Sequence, residues 1–552
     1  MKVIYDALFK YACSYQDMYI EKKHIICLNT PVCSVSGEET EIDSRSLINK
    51  TFNETLNFLH DTYAGDIVIL VEEGDDFALI RPPFSEFIVF YSFNKESITL
   101  WSGYYLPETL VRSPPDFDMQ YLSGWLMNPA WCTPQTGFLG VNELLSGAIL
   151  SFIGGVLWQR DRLSETVATL QTRYEKDFNQ TVKSFRQLIL NSIKHKTMQF
   201  EHKFSVTCSG GLDSSIVAIA SAAIHPERPI TLINCYSEYD YRGDERHYFR
   251  LIKEKIRGAS IEVETNSLSS HKSLSPEFLA FSPRPCKMAA AIGIQALLFR
   301  ETAKSKSNML LTGDGGDQLF LKMNKSFIWK ELMDRSFSIS SFIKVISGLA
   351  IQQRRTFWSV MYDAISGKEL ARYRSHFFGE NRFPESAYMS VKKPYMANIV
   401  PNERALKHMS ATRLFQFYGM RNAEFNRIAI HGCNIQERKA FMFWPLIKAS
   451  LQTPVMFHIV DGNDRAIERY AFKNELPEEI FYRKSKGAGR EILSRYDYKF
   501  LAEKLLYGPV CKNKFVSSDI LQTLTKSEID HNAASALIRL SALNDWMMLY
   551  DK

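Results

Sequence analysis

FSVTCSGGLDSSIVAIASAA, Phe204 to Ala223, decides how this chain is read. An apolar run ends in Ser209-Gly210-Gly211-Leu212-Asp213-Ser214-Ser215 and passes into a small-residue apolar helix. In a parallel sheet, ligands bind beyond the carboxyl ends of strands, where loops lead into helix N-termini. Gly210 and Gly211 let backbone N–H groups face one concavity, the helix adds its positive end, and Ser209 and Ser214 add hydroxyls. Such a cup suits an anion, a phosphate chain above all. No GxxxxGK[ST] occurs, which excludes the usual kinase-type phosphate loop. Asp213 would repel phosphate unless a divalent cation lay between them, so it reads as a Mg2+ ligand. Taken alone, the segment reads equally well as an ordinary turn and helix cap.

The rhythm around it is strand, loop, helix. KFSVT leads into the loop, PITLINCYS is a second strand followed by helical GDERHYFRLIKEKIRG, SIEVE is a third, and NMLLTGDGGDQLF is a fourth. This alternation predicts an α/β fold with a doubly wound parallel sheet. The fourth strand ends in a second glycine-rich loop bearing Asp314 and Asp317. Two acidic glycine-rich loops on one sheet edge suit a Mg2+-bound nucleotide, Asp213 and Asp317 each giving a carboxylate to the metal.

Upstream, roughly the first 165 residues read as β-rich. DIVILVEEGDDFALIRPPFSEFIVFYSF predicts strands at Ile67–Val71, Phe77–Ile80 and Phe87–Tyr91, and GAILSFIGGVLWQRD a hairpin turning at Gly154-Gly155. From Ser164 the apolar spacing becomes that of a long amphipathic helix, placing a domain boundary just before it: 1–163 and 164–552. From Lys325 to about Asp464 the chain reads mostly helical, with a looser basic and aromatic stretch from Gln352 to Arg404. The net charge of +6, from 67 basic and 61 acidic residues, is mild and argues for no nucleic-acid partner. Nine scattered cysteines without a CxxC pair point to free thiols in a reducing cytoplasm. The longest apolar run, Gly147 to Trp158, is too short to span a bilayer.

Ser209 to Ser214 resembles the pyrophosphate loop of ATP pyrophosphatases. Together with GDER (Gly243 to Arg246), TGDGGDQLF and LPEEIFYRKSKGAG (Leu476 to Gly489), in that order, it resembles the asparagine synthetase superfamily. GFLGVNELLSGAIL extends the likeness weakly into the N-terminal half. The resemblance implies a β-rich, Ntn-hydrolase-like N-terminal domain and an ATP-pyrophosphatase synthetase domain. It implies adenylation of a carboxylate by ATP, then displacement of AMP by an amine. Gly210, Gly211 and Ser214 would cradle pyrophosphate beside Ser209, Asp213 and Asp317 would hold Mg2+, and Thr312 and Gly313 would line the adenosine side. Lys486 is favoured over Lys484 to meet transition-state charge. Asp314 stands at a variable position, as a base for the amine or merely an acceptor, and Glu245 shapes the nucleotide pocket or simply opens a helix. Glutamine-using members need a cysteine directly after Met1; here it is Lys2, so the expectation is a glutaminase-inactive domain and an amine supplied by the substrate. The ring-forming members fit best, lasso-peptide macrolactam cyclases first. Their partners would be a precursor peptide, whose Asp or Glu is activated, and a leader-peptide protease. A β-lactam synthetase, an ammonia-using asparagine synthetase and a non-catalytic binding module stay open.

Overall fold

The computed structural model describes residues 2–5, 14–93, 97–129, 133–170, 177–198, 203–236, 244–265, 279–322, 343, 346–351, 354–366, 389, 406, 409–428, 430–484, 496–526 and 528–550. Lys486 and Gly243 lie outside the described residues, as does most of the basic and aromatic stretch after Gln352.

The N-terminal part stacks two sheets. Six strands run Val156–Asp161, Ala148–Ile153, Asp76–Arg81, Val68–Glu73, Lys23–Leu28 and Tyr15–Ile20 across one sheet, every neighbouring pair antiparallel. The register explains the almost unbroken apolar runs. Leu150, Leu79, Leu70 and Ile26 align across four strands and face the second sheet. The adjacent row Ile149, Ile80, Ile69 and Cys27 faces the opposite way, onto Leu56 and Leu59 of the helix Phe52–Thr62. Because side chains alternate with period two, a strand covered on both faces reads as continuously apolar. The predicted hairpin is present: Ile153 pairs with Val156, and Gly154 and Gly155 take φ of 56° and 85°, the signs a two-residue primed turn requires. The second sheet orders Lys2–Tyr5, Ser97–Ser102, Val89–Phe93 and Val141–Leu144.

After the hairpin come the helices Arg162–Thr169 and Phe178–Met198 and then the second sheet system. Its order is Gly258–Glu264, Ile230–Tyr236, Ser205–Thr207, Met309–Thr312 and Gln436–Lys439, all parallel. Helices cover both faces. Val206, Leu232 and Leu311 pack with Ile216 and Val217 of the helix Leu212–Ile224, whereas Ile233, Val263 and Leu310 pack with Ile292 and Leu297 of the helix Ile292–Lys304. The fifth strand, Gln436–Lys439, is an element not foreseen within the mostly helical reading of 325–464, where the helices Phe357–Ser366, Ala411–Glu424 and Trp444–Gln452 lie. Its four residues, Gln-Glu-Arg-Lys, have no apolar alternation, and only the sheet edge beside Met309–Thr312 makes them a strand.

The order of the strands places the site. The chain starts at Ser205–Thr207 and builds outward through Ile230–Tyr236 to Gly258–Glu264. It then returns to add Met309–Thr312 on the other side. The winding direction reverses between Ser205–Thr207 and Met309–Thr312, and a crevice opens at the carboxyl ends of two such strands.

Candidate active site

Both glycine-rich loops leave the sheet at that reversal, and they touch. A Cβ on Gly316 would lie 2.5 Å from Asp213 Oδ1, and one on Gly313 3.0 Å from the Ser214 nitrogen. The glycines are therefore demanded by the approach of one loop to the other. Gly210 answers a double demand: its φ is 75°, and a Cβ there would meet Tyr248 Cβ at 2.5 Å. The first loop closes on itself through hydroxyls. Ser209 N donates to Ser214 Oγ (3.2 Å), Ser214 Oγ donates to the Gly211 carbonyl (3.1 Å), and Gly211 N donates to Ser209 Oγ (3.3 Å). Gly211 then caps the thirteen-residue helix Leu212–Ile224 without a side chain, leaving that positive helix end facing the loop.

Asp213 and Asp317 are brought together as the sequence suggests, and the group between them is one the sequence reading missed. Arg465 Nη1 lies 3.1 Å from Asp213 Oδ2 and 2.7 Å from Asp317 Oδ1. Lys322 Nζ approaches Asp317 Oδ2 at 3.3 Å. Beneath them Glu468 is fully buried, and burial first, then the charge of Asp213, pushes its carboxyl well above the ordinary range. Two carboxylate oxygens converging on one nitrogen stand near enough to share a single cation. They are hard donors suited to Mg2+, although among the described residues no three His, Cys, Asp or Glu side chains form a metal cluster. The residues fit a divalent ion that brings its remaining ligands with it on a nucleotide.

Thr312 ends its strand buried beside this centre, with its hydroxyl lacking a partner among the described residues, and Gly313 follows. Asp314 is exposed on the loop. Its charge acts on a second residue the sequence reading missed, Glu437 in the fifth strand. Burial raises the Glu437 carboxyl, Lys439 opposes, and Asp314 and Glu86 add to the rise, leaving it at about 7.

Glu245 is buried at the start of the helix Arg246–Lys255 and forms an ion pair with Arg483. Arg483 Nη1 also donates to the Gly210 carbonyl at 3.0 Å, and its guanidinium lies 3.7 Å from the Tyr248 ring centroid. Arg469, almost wholly buried, donates to the carbonyls of Asp464, Ile480, Phe481 and Arg483. The run that carries the two lysines is thus tied to the first loop just before it reaches exposed Lys484. Motif spacing alone held no signal for Arg465 or Glu437. One clue was legible, a Glu-Arg pair inside the apolar helix Ala466–Ala471, since charges are seldom buried unpaired.

No curated protein matches the chain. Among solved structures, NMN synthetase from Francisella tularensis is similar over 26% of this chain and 59% of its own, at 15% identity and a TM-score of 0.19. The chain thus spans less than two thirds of that protein, and a likeness so slight carries no argument. The family model described as asparagine synthase matches residues 184–548, about two thirds of the chain, and takes in both acidic loops, Glu437, Arg465 and the lysine run. The chain belongs to the asparagine synthase family.

Proposed function

We propose that this protein forms an amide bond at the expense of ATP, by adenylating a side-chain carboxylate of a precursor peptide and closing a macrolactam with the peptide's own amine. Its family, ATP-dependent amide ligases, supports the general reaction. The observation that carries the reading to this site is the contact of the two acidic glycine-rich loops at the reversal of the sheet.

Negative charge builds on the leaving pyrophosphate during adenylation. The loop from Ser209 to Ser214 meets it at the positive end of the helix Leu212–Ile224; the Gly211 N–H and the Ser214 hydroxyl, which close the loop on itself here, would turn from those internal bonds to the pyrophosphate. Mg2+ held by Asp213 and Asp317 would supply charge neutralisation to the phosphates. Lys486 stabilises the developing charge at the acyl phosphate. The attacking amine must lose a proton, and Glu437, poised at about 7, is matched to that task with Asp314 at the mouth. An amine tethered to the carboxylate in one chain needs no separate binding site; such proximity is worth roughly 7–11 kcal/mol of barrier. Trp358 and Tyr362, 73% and 65% exposed one turn apart on the helix Phe357–Ser366, offer a peptide an aromatic surface.

The test is mass spectrometry of candidate precursor peptides, taken from neighbouring open reading frames, incubated with ATP, Mg2+ and any adjacent protease. AMP release with loss of one water from the core peptide supports the cyclase. Linear peptide alone, beside efficient conversion of aspartate and ammonia to asparagine, refutes it.

A further inference from the structure

The guanidinium of Arg465 occupies the space between the two carboxylates that the proposed reaction needs for metal. It does not arrive there by accident of a flexible side chain. Arg465 opens the helix Ala466–Ala471 in a left-handed conformation, φ 52°, which an arginine adopts only when its surroundings hold it. Its Nε is flanked by Asp464 Oδ1 at 3.6 Å and Glu468 Oε1 at 3.7 Å, while Nη1 bridges Asp213 and Asp317. The side chain is 8% exposed. With Lys322 on the outer oxygen of Asp317, Asp213 and Asp317 face two cations.

A bare divalent ion would have to take the same oxygens from Arg465 and then sit beside a displaced guanidinium at a half-buried site. Like charges at such range repel strongly. A metal–polyphosphate complex differs in sign, because its phosphate oxygens offer the guanidinium new acceptors as the metal takes the carboxylates. We propose that Arg465 is a built-in counter-cation. It keeps free divalent ions off Asp213 and Asp317 and admits metal only as a polyphosphate complex. The inference rests on the reading of those two aspartates as metal carboxylates.

The experiment is a Mn2+ titration of the full chain without nucleotide, followed by electron paramagnetic resonance. Arg465→Met is compared with wild type, and Arg465→Gln repeats the comparison with a side chain that can still hydrogen-bond. Thermal midpoints report which variants are folded. Wild type should show only weak Mn2+ binding, and the folded variants one site at least tenfold tighter; adding Asp317→Asn should cancel that gain. Wild type binding one Mn2+ as tightly as the variants would overturn the proposal, and so would variants that gain nothing. Pyrophosphate exchange into ATP, run in parallel on wild type with the precursor peptide present as the carboxylate that is adenylated, separates the two readings. Exchange without a Mn2+ gain sinks the counter-cation alone, and a gain without exchange sinks the ligase reading alone.

Discussion

Replacing Glu143 by Gln should destabilise the protein by about 3–5 kcal/mol at neutral pH, and the difference should vanish in acid. Glu143 is wholly buried where the N-terminal sheets meet the synthase part. Arg427 Nη1 and Arg81 Nη1 approach its Oε1 at 2.7 and 3.0 Å, and Arg284 Nε approaches Oε2 at 3.0 Å. Arg81, itself fully buried, also reaches Glu424, which pairs with Arg421. Burial would raise the Glu143 carboxyl, but Arg427, Arg284 and Arg81 outweigh it and hold it at about 2, against an ordinary 4.5. Lowering a carboxyl by that much corresponds to about 3 kcal/mol of folding free energy. Removing one charge from a buried cluster costs about 3–5 kcal/mol, since the remaining guanidiniums lose their counter-charge. The sign follows from linkage. A carboxyl depressed in the folded state contributes fully above its unfolded pKa, and the contribution is lost as pH falls through the folded value. Urea denaturation read by tryptophan emission suits the test, because Trp101, Trp125 and Trp546 share the core adjoining this junction. Wild type should exceed Glu143→Gln by the full amount near pH 7, and the gap should narrow from about pH 5 towards pH 2. A gap below about 1 kcal/mol at pH 7, or one independent of pH, refutes the assigned electrostatics.

The remaining predictions concern the reaction. Gly210→Ala should cost about 1–3 kcal/mol, from its positive φ and the collision with Tyr248, and should abolish pyrophosphate exchange; near-normal exchange would show that the loop geometry is not needed. In wild type, ring closure should accelerate as pH rises through about 7, because the base works when Glu437 is ionised; Glu437→Gln should flatten that limb by slowing closure while sparing pyrophosphate exchange. Asp213→Asn and Asp317→Asn should each lower exchange by at least about 100-fold, measured at a temperature where the thermal transition shows each variant folded. Lys486→Ala should lose adenylation with nucleotide affinity kept, and Lys484→Ala should retain more activity; the reverse ranking in exchange assays would exchange their roles.

Much of the fold was legible because local chemistry dictates it. Gly154-Gly155 can form a two-residue primed turn, and Ser209 to Ser214 can form a hydroxyl-closed loop at a helix start, whatever lies elsewhere in the chain. The strands Val68–Glu73 and Asp76–Arg81 announce themselves by apolar runs broken at a turn. Gln436–Lys439 escaped because a polar edge strand owes its conformation to the neighbour it pairs with, and no residue within it signals that neighbour.

By itself, then, the sequence determined the two acidic glycine-rich loops, the alternation of strand and helix, and through their motifs the family. The tertiary structure alone decided what stands between those loops. Arg465 reaches Asp213 across 252 positions and Asp317 across 148, and Arg81 meets Glu424 across 343. The physical reason is a difference of range. Backbone conformation is set by steric limits within a few residues and leaves a trace in spacing. A buried charge takes whichever partner long-range packing delivers, and charge along a chain has no period from which that partner can be read.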